Sequence, residues 1–283
     1  MRSEKGTQMK RILSIQDISC VGKCSLTVAL PIISALGIEA AILPTAVLST
    51  HTAFGGFTFK DLTDEVEPIC KVWKQEDIAF DGIYTGYLGS KEQIDLVLDI
   101  FRDFGEGKFK FVDPAMGDNG MLYKGFDEHF AHEMARLCAA ADVIVPNLTE
   151  ACFMLDKPYI SSGYDERYIQ DILVSLTDLG CKKAVLTGVG FESDKLGCYG
   201  YDSETGKFWC DFNDKKPQSF HGTGDIFASV CFASLMNGNN VAEASAIAAD
   251  FVCDCIDATL NDETPIWYGV HFEKVLKSGK YIN

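Results

Sequence analysis

The chain has 283 residues, with 25 lysines and arginines against 41 aspartates and glutamates and a formal net charge of -16. This length suffices for a large hydrophobic core, while the acidic balance argues against binding to nucleic acid or to an anionic membrane. Eleven cysteines without a CxxC pair or zinc-type spacing indicate reduced packing residues, and no apolar run suits a signal core or a membrane span, so we expect a cytoplasmic protein.

Apolar runs of strand length and of helix length alternate along the chain, which is typical of an α/β domain with a mostly parallel sheet. The predicted strands cover residues 10–16, 38–43, 82–87, 109–112, 143–145 and 184–186, and a β-hairpin is predicted over 196–212. The predicted helices cover residues 25–36, 61–74, 91–104, 128–138, 226–236, 241–258 and 270–276. No linker interrupts the series, so we expect a flexible N-terminus over 1–9 and one domain over 10–283.

Polar residues stand just past the carboxyl ends of five predicted strands: Asp17, Tyr87, Asp113, Asn147 and Thr187. Open parallel sheets bind their ligands at this edge, so these side chains are expected to converge on one site. The alternative is a set of unrelated loop caps, because Asp, Asn and Thr are also common turn residues.

The segment His221-Gly-Thr-Gly-Asp225 precedes an apolar helix and has the composition of an anion site. Its two glycines let backbone N–H groups turn toward one point, and the start of the helix adds the positive end of its dipole. A phosphate fits best, and Asp225 beside it could accept a proton from an attacking hydroxyl, as in a small-molecule phosphotransferase. By itself the pentapeptide fits equally well a turn with Asp as helix cap.

Two further segments carry hard oxygen ligands of the kind that Mg²⁺ prefers. Asp113-Pro-Ala-Met-Gly-Asp118 supplies two carboxylates, and Asn147-Leu-Thr-Glu150 supplies an amide and a third carboxylate. The spacing of Asn147 and Glu150 also satisfies a helix capping box, and one residue pair can serve both purposes.

Taken in order, these segments resemble the pyridoxal kinase branch of the ribokinase-like superfamily over residues 10–236. The matching motifs are Ser49-Thr-His-Thr-Ala-Phe-Gly55, Thr85-Gly-Tyr-Leu-Gly-Ser90, Asp113-Pro-Ala-Met-Gly-Asp-Asn-Gly120, Pro146-Asn-Leu-Thr-Glu150, Thr187-Gly188 and Gly222-Thr-Gly-Asp225. The resemblance implies a three-layer α/β fold, with a central, mostly parallel sheet between helices, and an ATP- and Mg²⁺-dependent kinase.

The resemblance also implies a role for each matching residue. Asp225 would be the general base for a primary alcohol, assisted by the amides of Gly222, Thr223 and Gly224. The nucleotide-binding set would be Asp113, Asn147, Glu150, Thr187 and Thr223, with Asp113, Asp118 and Glu150 holding Mg²⁺. The residues lining the ring of the substrate would be Asp17, His51, Thr52 and Tyr87. The family further implies a homodimer, and a monovalent cation requirement stays open.

One departure bears on the substrate: the better-known pyridoxal kinases usually carry serine where this chain has Asp17. A carboxylate there could pair with a protonated ring nitrogen or an exocyclic amine, which favours pyridoxamine or an aminopyrimidine. The leading prediction is a kinase for the 5′-hydroxymethyl group of a B6 vitamer (pyridoxal, pyridoxamine or pyridoxine). The alternatives are a hydroxymethylpyrimidine (phosphate) kinase of thiamine biosynthesis and a non-catalytic protein that binds the vitamer or the nucleotide.

Overall fold

A computed structural model of the chain describes residues 9–282. Residues 1–8 of the predicted flexible N-terminus lie outside this range. The strands are β1 (Arg11–Val21), β2 (Glu39–Thr50), β3 (Phe59–Asp61), β4 (Gly82–Thr85), β5 (Phe109–Val112), β6 (Gly117–Asp118), β7 (Met121–Leu122), β8 (Val143–Ile144), β9 (Lys183–Val189), β10 (Lys195–Asp202) and β11 (Lys207–Asp214). The helices are α1 (Leu26–Ala35), α2 (Thr63–Gln75), α3 (Lys91–Phe104), α4 (Glu128–Ala139), α5 (Leu148–Met154), α6 (Glu166–Asp178), α7 (Thr223–Met236), α8 (Val241–Leu260) and α9 (Phe272–Lys277).

Nine of the strands form one sheet in the order β11-β10-β9-β8-β5-β4-β1-β2-β3. The pairs from β9 through β8, β5, β4 and β1 to β2 are parallel, while β3, β10 and β11 add antiparallel edges. The predicted α/β fold with a mostly parallel sheet is confirmed.

Helices cover both faces of the sheet because successive residues of each buried strand point to opposite sides. Leu13 of β1 and Ile83 of β4 belong to a core shared with α2 to α6. Their neighbours Ile12 and Tyr84 belong to a second core shared with α1, α7, α8 and α9. The α7 helix is buried over most of its surface, as its continuous apolar sequence predicts.

The prediction was wrong or incomplete in four places. The α6 helix, the edge strand β3 and the small β6–β7 hairpin were not predicted. Asp17 lies within β1 and not in a loop after it, because β1 continues past a register shift between Gln16 and Ile18 and stays paired with β2 as far as Val21. Such a bulge re-aims the side chains that follow it.

None of the helices within residues 9–282 combines the length and the apolar character that a membrane crossing requires.

Candidate active site

The predicted phosphate and metal residues line one cavity of about 410 Å³ at the carboxyl edge of the parallel strands. Its walls include Asp113, Asp118, Asn147, Glu150, Thr187 and the loop from Gly222 to Asp225. A second groove, of about 550 Å³, runs along the surface between α2 and α3, and its lining side chains include none of the predicted residues. The cavity at the sheet edge is therefore the candidate active site.

The anion loop takes its shape from Gly222, which caps α7 in a left-handed conformation with φ of 79°. A Cβ atom at this position would lie 1.7 Å from the carbonyl oxygen of Lys23, so the site accepts only glycine. The Gly222 carbonyl accepts the N–H of Ile226 at 3.0 Å and so starts the helix. The first N–H groups of α7 are consequently left for an anion in the cavity.

Asp225 stands in the first turn of α7, half-buried at the cavity wall. Burial raises the pKa of its carboxyl group to about 7, with a further contribution from the nearby charge of Asp17, while backbone hydrogen bonds from Ser25 and from its own N–H oppose the shift. A carboxylate with a pKa near neutrality is suited to general base catalysis.

The predicted metal residues are close together but do not form a preassembled site. Among residues 9–282, no group of three His, Cys, Asp or Glu side chains is arranged to hold a metal ion. Glu150 accepts the N–H of Asn147 at 2.8 Å and that of Met116 at 3.1 Å, so the predicted capping box is present. Asp118 accepts hydrogen bonds from the backbone and the side chain of Asn119.

Asp113 and Glu150 are both buried and influence each other. Burial raises the pKa of Asp113, and the charges of Glu150 and Asp225 add to the effect. Burial also raises the pKa of Glu150 to about 8, against the hydrogen bonds from backbone N–H groups. Mutually repelling carboxylates of this kind would be stabilised by a cation that keeps most of its own water ligands.

None of the four predicted substrate residues is among the side chains that line this cavity. Asp17 is buried, accepts a hydrogen bond from Ser19 Oγ at 3.2 Å, and has a pKa that burial raises. Burial and the charge of Asp17 raise the pKa of the Tyr87 hydroxyl, which indicates that these two side chains are near each other. The charge of Asp17 therefore contributes to the raised pKa of both Tyr87 and Asp225.

His51 lies beside His221 of the anion loop. Its ring lies 5.3 Å from that of His221, its Nε2 is 3.1 Å from the carbonyl oxygen of Tyr268, and its Nδ1 accepts the N–H of Ala53 at 3.2 Å. Burial lowers the pKa of His51, so the ring is a neutral imidazole near pH 7. Thr52, the next residue, is exposed to solvent.

Several residues of the region were not predicted from the sequence. Lys215 and Lys216 line the cavity where β11 ends, beside apolar side chains of α7 and α8. Trp267 packs on Phe54, a residue of the predicted Ser49–Gly55 motif, with ring centroids 4.5 Å apart. The two lysines lie between the predicted hairpin and the anion loop, and this position in the sequence was a signal that they adjoin the site. For Trp267, far along the chain, the sequence holds no such signal.

This fold is that of the small-molecule kinases of the ribokinase-like superfamily. The sequence profile of the phosphomethylpyrimidine kinase family matches residues 30–266, and the chain belongs to this family. The protein is a kinase.

Relatives and solved structures agree with this assignment. A Bacteroides thetaiotaomicron protein provisionally named a phosphomethylpyrimidine kinase, and crystallised in one form with pyridoxal, is 40% identical, with 96% of each chain covered and a TM-score of 0.91. Pyridoxal kinase from Lactobacillus plantarum is 31% identical over 95% of this chain and 96% of its own, with a TM-score of 0.86. Pyridoxal kinase PdxY of Actinobacillus pleuropneumoniae is 28% identical over 97% of this chain and 96% of its own.

Proposed function

We propose that the protein uses ATP to phosphorylate the 5′-hydroxymethyl group of a B6 vitamer, with Asp225 as the general base. The observation that carries the proposal is the placement of this carboxylate, its pKa raised to about 7, at the head of the anion loop. The pyridoxal kinases among its relatives, and the pyridoxal in the crystal form of the Bacteroides protein, support a B6 vitamer as the substrate.

In this proposal the oxygen of the substrate alcohol attacks the γ-phosphorus of ATP, and Asp225 accepts the proton of that alcohol. The bond from that phosphorus to the β–γ bridging oxygen breaks, and ADP leaves with the electron pair. The N–H groups at Gly222, Thr223 and Gly224 stabilise the charge on the transferring phosphoryl group. The loop thus contributes through geometry fixed before the substrate binds.

The residues of the cavity wall support a nucleotide site there. Thr187 and Thr223 would bind nucleotide phosphates, and Asn147 would orient the same region together with Glu150. Asp113, Asp118 and Glu150 fit Mg²⁺ because all three offer carboxylate oxygens. The side chains of Asp113 and Glu150 are buried. The ion would neutralise charge on the phosphate oxygens when bound.

The proposed substrate residues are Asp17, His51, Thr52 and Tyr87. Burial and the charge of Asp17 raise the pKa of Tyr87, and the ring of His51 lies 5.3 Å from that of His221 in the anion loop. Thr52, exposed in this structure, would contact a ring only when one is bound. On the basis of the family resemblance, we also propose that the protein is a homodimer and is located in the cytoplasm. Measuring its molar mass in solution by light scattering tests the homodimer.

The proposal is tested by coupled measurement of ADP release with pyridoxal, pyridoxamine, pyridoxine and hydroxymethylpyrimidine as acceptors. We expect turnover with at least one B6 vitamer at a kcat/KM above that for hydroxymethylpyrimidine. The reverse order would favour the second candidate, a hydroxymethylpyrimidine kinase, which the family description and the buried carboxylate of Asp17 both support. Turnover with none of the four acceptors, despite binding, would contradict both proposals.

Replacing Asp17 by serine should lower kcat/KM for pyridoxamine relative to that for pyridoxal by about tenfold, since a hydrogen bond to a charged group contributes about 1.5–3 kcal/mol. The reason is that only pyridoxamine carries an exocyclic ammonium group that can pair with the carboxylate. The measurement is the ratio of the two kcat/KM values in the native enzyme and the variant. Asp17→Asn, which removes the charge but keeps the size, should change the ratio in the same direction, and an unchanged ratio in both variants rules out the pairing.

A further inference from the structure

We propose that the C-terminal segment of residues 267–273 positions the anion loop (residues 221–225), through His51 on one side and through Lys23 on the other. The inference rests on the proposed role of this loop in phosphoryl transfer. The residues of the segment are not among those that line the cavity, so the segment would act through the residues that it contacts.

The first connection runs through His51, a buried residue of the loop after β2. Its Nε2 lies 3.1 Å from the carbonyl oxygen of Tyr268, and its Nδ1 accepts the N–H of Ala53 at 3.2 Å. Because a carbonyl oxygen can only accept, Nε2 carries the proton and the ring is held as one neutral tautomer. This ring lies 5.3 Å from the ring of His221. The backbone of the C-terminal segment thereby orients a ring that adjoins the anion loop.

The ring of His51 has little room to turn away from this orientation. A Cβ at Gly22 would lie 2.3 Å from its Cδ2 atom, so the turn before α1 closes one side. The ring centroid of Phe54 is 4.8 Å away, that of Trp267 is 6.2 Å away, and these two rings contact each other at 4.5 Å. Trp267 is 55% exposed, so it supports the loop that carries His51 and adds little to the core.

The second connection runs through Lys23, in the turn between β1 and α1. Its Nζ forms an ion pair with Glu273 at 2.6 Å and lies 5.1 Å from the centroid of the Phe272 ring. A Cβ at Gly269 would lie 2.5 Å from the Cβ of Lys23, so the backbone of the C-terminal segment approaches this side chain closely. The carbonyl oxygen of the same lysine is the atom that a Cβ at Gly222 would meet at 1.7 Å. Lys23 therefore lies between the C-terminal segment and the anion loop.

The C-terminal segment is itself anchored in the domain. Val270 and Phe272 are buried in the core shared with α1, α7, α8 and α9, and the N–H of His271 donates to Thr259 Oγ1 at 2.7 Å. A segment held in this way can fix the direction of the anion-loop N–H groups before the substrates bind. Because those N–H groups would stabilise charge that develops during the transfer, we expect the segment to affect kcat more than substrate binding.

Gly269→Ala tests the connection through Lys23. The new Cβ should push the segment away from the lysine and lower kcat by about tenfold or more, with KM for ATP within about threefold of native, since small displacements of catalytic groups are costly. Gly279→Ala is the matched control, because Gly279 also has positive φ but no atom lies within 4 Å of its Cβ, so this variant should retain the native kcat. In a Lys23→Gly background, which lacks the atoms that the new Cβ meets, Gly269→Ala should lower kcat by less than about threefold.

Trp267→Ala tests the connection through His51. We expect kcat at saturating acceptor to fall by about three- to tenfold, and Trp267→Phe, which keeps an aromatic ring against Phe54, should restore most of it. In a His51→Ala background, Trp267→Ala should lower kcat no further. Val72→Ala is the control for the loss of an exposed apolar side chain, since Val72 is 52% exposed on α2, and it should retain the native kcat.

Hydrogen–deuterium exchange of the anion loop gives a readout that does not require turnover. In Gly269→Ala and in Trp267→Ala, exchange within residues 221–225 should rise by about threefold or more, while β4 and β5 exchange as in the native protein. A segment that only stabilised the fold would raise exchange in the central strands as well. Melting temperatures verify that each variant is folded.

The inference is overturned if folded Gly269→Ala retains native kcat and native exchange in the anion loop, or if Trp267→Ala lowers kcat equally with and without His51. If Gly269→Ala does not fold, the variants of Trp267 and their exchange decide the matter. Native enzyme that phosphorylates none of the acceptors would instead contradict the proposed function, while exchange of the anion loop still tests the positioning. The two failures are therefore distinguishable.

Discussion

Replacing Asp225 by alanine should lower kcat by about 10²–10⁴-fold, the range expected when a general base is removed. Nucleotide affinity should change little, since the amides of the anion loop and the residues around Asn147 stay in place. Single-turnover phosphorylation of the vitamer and equilibrium binding of ATP measure the two quantities separately. An alanine variant that phosphorylates the vitamer at the native rate would falsify the proposed mechanism.

The pH profile gives the same prediction a second readout. A base must be ionised to accept a proton, and burial raises the pKa of Asp225 to about 7. In the native enzyme kcat/KM should therefore fall below about pH 7 and level off above it, and the alanine variant should lose this acidic limb. Asp64→Asn is a matched control, because Asp64 also occupies the first turn of a helix but is exposed on α2, so it should retain both the native kcat and the limb.

Replacing Gly222 by alanine should be the most damaging change in the anion loop. The added Cβ would lie 1.7 Å from the carbonyl oxygen of Lys23, and the backbone has φ of 79°. The loop must move, and its N–H groups move with it, so kcat should fall by about 10²–10³-fold, as when an oxyanion donor is lost. Backbone strain of about 1–3 kcal/mol should also lower the melting temperature by a few degrees.

Gly224→Ala is the stability control for this variant. No atom lies within 4 Å of a Cβ at Gly224, and the residue is in the first turn of α7. Its melting temperature should equal or exceed that of the native enzyme, since alanine favours a helix over glycine. The steric account of Gly222 is wrong if the two alanine variants show the same melting temperature.

Most of the fold could be predicted because its central strands and its helices have the apolar patterns that their burial requires. The helix that was missed, α6, also has such a pattern, with Ile169, Ile172, Leu173 and Leu176 spaced to form one buried face. The β3 strand gave no such signal, since all three of its residues are exposed and it is held only by pairing with the edge of β2.

The candidate site also has parts that could be predicted from the sequence and parts that could not. The anion loop and the capping box were predicted because their function depends on residue types at fixed short spacings, which are visible in the chain. The continuation of β1 through Asp17 was not, because polar residues interrupt the apolar run at the bulge. Trp267 reaches the region only because a distant segment of the chain packs against the loop that carries His51 and Phe54.

The sequence by itself determined the α/β architecture, the glycine-containing loop from Gly222 to Asp225 and the set of carboxylates around it, because local spacing and periodicity specify all three. Only the tertiary structure decided that Asp17 lies near enough for its charge to raise the pKa of Asp225. The physical reason is that burial and electrostatic coupling depend on distances between residues far apart in the chain, and the packing of the whole domain sets those distances.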